Sequence, residues 1–167
     1  VAERIAEDTE VIGVSCMFSH EWPLTRDLIE ILRVRCPDAL VVVGGEHATA
    51  LPDLVLRDSP DVGVVVVGEG EETFVDVVRA RRDLVAIAAL PGVVTRGADA
   101  DGGLVVGPER ARLRAVDDLP EPAWDLLPIE AYLELGHGFG VHRGRSMPIL
   151  ATRGCPYQCT FCSSPFM

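Results

Sequence analysis

Three runs of branched aliphatic residues, each closed by glycine and followed by a helical pattern, constrain this chain most. The first is Val11-Ile12-Gly13-Val14-Ser15-Cys16-Met17. The second is Leu40-Val41-Val42-Val43, ending in Gly44-Gly45-Glu46-His47. The third is Val62-Gly63-Val64-Val65-Val66-Val67, ending in Gly68-Glu69-Gly70-Glu71. A strand with one wet face alternates apolar and polar residues, whereas a continuous Val/Ile run is buried on both faces. After the first run, Leu24 to Arg33 carries apolar residues at helical spacing, and Pro37 stops that helix. The spacing predicts a short second helix starting near Pro52 and a third over about Glu72 to Arg82. Strand–helix alternation implies right-handed βαβ units. The expected class is α/β, an open, Rossmann-like, doubly wound parallel sheet. Aromatics are only 5% of a chain that is 48% hydrophobic, so the core is aliphatic. Three strands are few for such a sheet, and residues 1–8 read as the end of an amphipathic helix, so the sheet is expected to be incomplete at its start. The chain begins with Val1 and ends at Met167, five residues beyond Cys162. It is expected to be a piece of a longer protein, inactive alone.

Beyond about residue 90 the pattern changes. Pro91 to Arg96 and Gly103 to Val106 flank a turn rich in Gly and Asp, which predicts a β-hairpin. The Pro-rich, acidic stretch Asp117 to Pro128 reads as an interdomain linker, with a short helix over Ile129 to Leu135 after it. Trp124 is expected to dock that linker. Pro148-Ile149-Leu150-Ala151-Thr152 reads as a strand running into a cysteine loop. The expected organisation is therefore a Rossmann-like domain over 1–90, a hairpin and linker over 91–146, and the start of a second domain over 147–167.

The net charge of −11 argues against a nucleic-acid groove or an anionic membrane as partner. No apolar run approaches the roughly 18 residues of a membrane span. All 15 basic residues are arginine, for which folding offers no reason. The five cysteines are odd in number and three of them cluster, which fits a reduced cytoplasm and a metal site rather than a disulfide framework.

That cluster is Cys155-Pro156-Tyr157-Gln158-Cys159-Thr160-Phe161-Cys162. Thiolates are the usual ligands of iron–sulfur clusters, and three within eight residues can hold three corners of a cubane. No fourth cysteine lies nearby, so the fourth iron would be open to a small molecule. A zinc site recruiting His137 or His142 is the competing reading, and chance clustering is another. The C-x3-C-x2-C segment with Phe161 in an aromatic slot resembles the signature of the radical S-adenosylmethionine (SAM) superfamily. By that resemblance Cys155, Cys159 and Cys162 bind a [4Fe-4S] cluster, SAM chelates the open iron, Phe161 packs near its adenine, and the strand Pro148–Thr152 begins a partial TIM barrel.

Glycine directly after a strand lets a ligand approach the backbone at the C-terminal edge of a sheet, although it is commonly just a tight turn. Neither a dinucleotide fingerprint nor a P-loop is present. The order of features, Val-Gly-Gly-Glu-His, then Val-Gly-Glu-Gly-Glu-Glu-Thr, then linker, then cysteine loop, resembles the cobalamin-binding radical SAM class. The resemblance implies cobalamin contacts at Ser15 and Cys16, at Gly44, Gly45 and His47, and at Gly68, Glu69 and Gly70, with Glu71 and Thr73 capping the following helix. The D-x-H-x-x-G motif that supplies an axial histidine in many cobalamin proteins is absent, and His47 in G-G-E-H is not that ligand. A base-off cobalamin without a protein histidine is the expected mode.

The class implies reductive cleavage of SAM and methyl transfer to an unactivated carbon or phosphorus of a small-molecule or peptide substrate. An electron donor such as flavodoxin or ferredoxin would be required. A ring-forming cyclase of the anaerobic tetrapyrrole type, a radical SAM enzyme with a relic Rossmann-like half, and a non-catalytic zinc module are the alternatives.

Overall fold

A computed structural model describes residues 5–97, 103–113, 115–136, 144–146, 153–155, 157 and 159–162. The chain divides into two compact units, Val1–Arg112 and Leu113–Phe166.

The three valine runs form β1 (Val11–Ser15), β2 (Leu40–Gly44) and β3 (Val62–Val66). They lie side by side and parallel, with Val11 opposite Leu40, Ser15 opposite Gly44 and Val43 opposite Val65. The β2–β3 register skips Gly63, pairing Val41 with Val62 and Val42 with Val64. The expected hairpin is formed by β4 (Val93–Arg96) and β5 (Leu104–Val106). It is not separate from the first unit. β4 pairs antiparallel with β3, and the sheet runs in the order β1-β2-β3-β4-β5. The buried side chains of Val93, Val94 and Thr95 explain this, because a strand buried on both faces has to complete its hydrogen bonding inside a sheet. The unit therefore extends to residue 112 rather than 90, and its sheet is parallel only through β3.

Helices cover both faces. α1 (Trp22–Arg35) and α3 (Pro52–Asp58) place Trp22, Ile29, Val55 and Leu56 against Val41, Val43, Val62 and Val65. α4 (Gly70–Ala80) and α5 (Leu84–Ala88) place Val77 and Ile87 against Val42, Val64, Val66 and Val93. β2, β3 and β4 thus each feed two separate cores. Gly13, in β1, leaves the space that the Phe74 ring fills, since an added Cβ would sit 2.8 Å from Cζ. Residues 5–10 are not helical, which departs from the expectation for residues 1–8, and residues 1–4 lie outside the described part.

Two arginines tie helix ends to the sheet. Arg33, in the last turn of α1, donates to the Pro37, Ala39 and Asp61 carbonyls at 2.7, 2.9 and 2.9 Å, and to the Asp61 carboxylate at 3.2 Å. Arg96, at the end of β4, donates to the Val62 carbonyl at 2.5 Å, the Ser59 carbonyl at 2.7 Å and the Leu56 carbonyl. The last two belong to the C-terminal turn of α3, whose carbonyls have no helical partner. Trp22 is a packing residue as expected, and its indole N–H donates to Asp58 at 2.8 Å.

Among its described residues the second unit holds two 3-10 turns, Val116–Asp118 and Trp124–Leu126, and α6 (Ile129–Glu134). Trp124 is 47% exposed, so within its unit it is not the buried docking residue expected. Arg145 pairs with Glu130 at 2.5 Å. The expected barrel strand Pro148–Thr152 lies outside the described residues, as do His137, His142 and Arg143. No helix among the described residues is long and apolar enough to cross a membrane.

Replacing Arg96 with Met keeps the stem and removes the donors to three carbonyls. It is expected to lower stability by about 2 kcal/mol, read from urea unfolding followed by circular dichroism.

Candidate functional site

Because β1, β2 and β3 are parallel, the turns that follow them emerge at one edge of the sheet. All eight residues expected to meet the cofactor in this unit are gathered there: Ser15 and Cys16, Gly44, Gly45 and His47, and Gly68, Glu69 and Gly70. This is the carboxyl edge at which open α/β sheets bind ligands.

The first turn is locked to the second through the backbone. The Cys16 N–H donates to the Gly44 carbonyl at 2.8 Å, and the Cys16 carbonyl accepts the His47 N–H at 3.2 Å. Ser15 is exposed at the end of β1. The Cys16 side chain is buried in the core beside α1 and α3, and its thiol points to the Phe18 carbonyl at 3.6 Å. Its side chain is therefore a core element, and only its backbone belongs to the edge. Gly45 has φ +97°, and a Cβ there would lie 2.5 Å from the Cys16 carbonyl oxygen. Glycine at 45 is thus demanded by this approach of two turns, whatever binds above them.

Gly68 is different. Its φ is +77°, and a Cβ there would meet nothing within 4 Å. Gly70 begins α4, with room for a Cβ 3.6 Å from Val66 Cγ1. Glu69 precedes α4 without capping it through its side chain. Thr73 does not cap α4 either, contrary to expectation. It lies fully buried one turn inside and donates to the Pro91 carbonyl at 3.5 Å. Glu71 lies in the first turn of α4, where a carboxylate favours the positive end of the helix dipole. Half-exposed Met17 and Phe18 add apolar surface to the first turn.

His47 lies on a helix absent from the sequence reading, α2 (Glu46–Ala50). It is not a loop side chain. It is 3% exposed, its ring tilts against Trp22 with centroids 5.4 Å apart, and its Nδ1 is 2.9 Å from Ser19 Oγ. Its Nε2 is buried without a hydrogen-bond partner. A neutral ring that donates from Nδ1 to Ser19 leaves a bare lone pair at Nε2, which costs less than an orphaned N–H. Burial accordingly lowers the His47 pKa below the ordinary imidazole value. Ser19 and Thr49 were missed by sequence reasoning. Thr49 Oγ1 accepts the Gly68 N–H at 3.0 Å. Nothing local in the sequence signals either bond, because each joins turns that meet only when the sheet forms.

In the second unit, Cys155 and Cys159 are exposed and Cys162 is half-buried, with the Cys162 N–H donating to the Cys159 carbonyl at 3.1 Å. Phe161 is 92% exposed. Among the described residues no three His, Cys, Asp or Glu side chains are gathered to hold a metal. Three thiols within eight residues are a donor set suited to iron.

A family model described as the B12 binding domain matches residues 1–78. The match lies within the first unit. An uncharacterized methyltransferase of Pyrococcus horikoshii is 33% identical over 157 residues, covering 94% of this chain and 32% of its own. The cobalamin-dependent radical SAM methyltransferase TokK of Streptomyces tokunonensis is 34% identical over 170 residues, covering 97% of this chain and 23% of its own. An anaerobic magnesium-protoporphyrin IX monomethyl ester cyclase of Cereibacter sphaeroides is 30% identical over 173 residues, covering 98% of this chain and 26% of its own. The chain therefore spans a third or less of the length of these relatives. The fold is shared with the cobalamin-dependent SAM radical enzyme OxsB, with a TM-score of 0.66 and 22% identity over 92% of this chain and 20% of that one.

The His47 reading has a pH signature. As pH falls through about 6.5 the unfolded imidazole takes up a proton while the folded one stays neutral, so the unfolded state binds more protons and stability falls. Between pH 7.5 and 5.5 the wild-type protein is expected to lose stability relative to His47→Gln, by at most about 1.4 kcal/mol per pH unit. Urea unfolding of both proteins across that range measures it. A difference that does not change with pH contradicts a buried neutral imidazole.

Proposed function

We propose that the full-length protein is a cobalamin-dependent radical SAM enzyme, a methyltransferase acting on an unactivated carbon or phosphorus. Cobalamin would sit on the edge formed by Ser15, Gly44, Gly68, Glu69 and Gly70, with the backbone of Cys16 and Gly45 forming its floor and His47 beneath. The observation that carries this reading is that three parallel-strand turns of a B12-binding domain meet at one edge, where the Gly68 turn opens onto free space. A flat macrocycle needs such a low, side-chain-free rim, and the exposed Met17 and Phe18 supply apolar contact beside it.

His47 is not an axial ligand in this reading. Its Nδ1 is engaged by Ser19 and its Nε2 is enclosed, so neither nitrogen is presented to a cobalt ion. That supports a base-off cobalamin without a protein histidine. Cys155, Cys159 and Cys162 would hold a [4Fe-4S] cluster, with Phe161 beside SAM. When bound, the cluster supplies an electron to SAM and cobalamin supplies a carrier for the methyl group. The electron would come from a flavodoxin- or ferredoxin-like donor, and the protein would act in the cytoplasm. A second reading, a cyclase, is favoured by the tetrapyrrole cyclase relatives in the same similarity range. It uses the same edge and differs in its product.

Gly70→Leu separates binding from folding better than Gly45 variants, which collide with Cys16. In the full-length protein Gly70→Leu is expected to leave the unfolding midpoint within a few degrees and to weaken hydroxocobalamin binding at least tenfold, because it adds bulk at the start of α4, where the rim is bare backbone. Absorbance titration measures it. Unchanged affinity would contradict the assigned edge.

A further inference from the structure

We infer that α2 is the spacer that sets the separation of the three turns, and that Thr49 is the positioning residue through which it holds the Gly68 turn in its ligand-accepting shape. This rests on the cobalamin reading and deepens it by assigning a residue outside the family-derived contacts.

α2 is only five residues long, too short to be stable by itself, so its position is fixed by what it bonds to. Its backbone is held from below: the His47 N–H reaches the Cys16 carbonyl at 3.2 Å and the Thr49 N–H reaches the Gly45 carbonyl at 2.9 Å. Two of its side chains then reach to the neighbouring turns. His47 Nδ1 meets Ser19 Oγ in the segment after β1 at 2.9 Å, and Thr49 Oγ1 takes the Gly68 N–H after β3 at 3.0 Å. The first, second and third turns are joined in series through this one helical turn.

The Thr49 bond matters because of what Gly68 lacks. Among the described residues beyond its two chain neighbours, no atom stands within 4 Å of where its side chain would be, and its φ of +77° is a left-handed backbone. Packing does not hold it there. The Thr49 hydroxyl is the contact that commits its amide, turning the N–H inward to the protein and leaving the Cα side of the turn toward open space. A turn held this way meets a ligand without a further ordering cost, which is the benefit of preorganisation. The same hydroxyl would be invisible to a search for ligand contacts, since it need touch no ligand.

The test uses the full-length protein and hydroxocobalamin. Thr49→Val preserves shape and removes the acceptor. It is expected to speed hydrogen exchange at the Gly68 amide in the cofactor-free protein and to raise the dissociation constant for hydroxocobalamin about fivefold, the usual net worth of one such bond. Thr49→Ser is expected to restore both, which a packing role for the methyl group would not produce. Unchanged exchange at Gly68, or faster exchange with unchanged affinity, would overturn the inference. If the wild-type protein itself retains no corrin, the cobalamin reading fails and the ligand-positioning role falls with it, while the exchange measurement still decides whether Thr49 holds the turn.

Discussion

The approach of the second turn to the Cys16 backbone is the contact on which the candidate site depends. Cys16 gives its N–H to Gly44 and its carbonyl to His47, and Gly45 passes so close that any side chain would strike the Cys16 carbonyl. Without this approach β1 and β2 would still pair, but α2 could not start where it does. His47 would not reach Ser19, and Thr49 would not reach Gly68. The edge is therefore built outward from two backbone hydrogen bonds, with the polar side chains of α2 added afterwards.

This arrangement separates residues that hold the edge from residues that can touch a ligand. Gly45, Cys16 and His47 are committed to one another and to the core. Ser15, Gly68 and Gly70 are left at the rim, where backbone is bare. The division is physical: a buried group whose hydrogen-bonding capacity is used internally gains nothing from a ligand, whereas an unpacked turn has surface to give. His47 stands at the boundary, with one nitrogen satisfied and the other enclosed.

Much of the sheet was legible before the structure. The valine runs of β2 and β3 exclude solvent on both faces, while β1, at the sheet edge, keeps only Ile12 buried; alternation with helices orders all three, so β1, β2, β3, α1 and α4 lie close to where pattern reading puts them. What was not legible depended on meetings between distant segments. The hairpin was visible from its turn, but its joining to β3 was not, because an antiparallel strand carries no local mark of its neighbour. α2 was hidden because Glu46 to Ala50 is too short to show a period. α5 was hidden for the same reason, and Thr73 looked like a cap until α4 was seen to begin at Gly70. At the site, the glycines were legible as turns, but which of them serves packing and which serves openness required coordinates. The cysteine motif is the converse case, specific in sequence while Cys155 and Cys159 lie exposed.

The account stands on corrin binding at this edge without histidine ligation. Electron paramagnetic resonance of the full-length protein, loaded with hydroxocobalamin, freed of excess and reduced to cobalt(II), tests it most directly. The account predicts bound cobalamin in the base-off state with no nitrogen splitting on the cobalt lines. Loss of the corrin on gel filtration, or nitrogen splitting that disappears in His47→Gln, would contradict it.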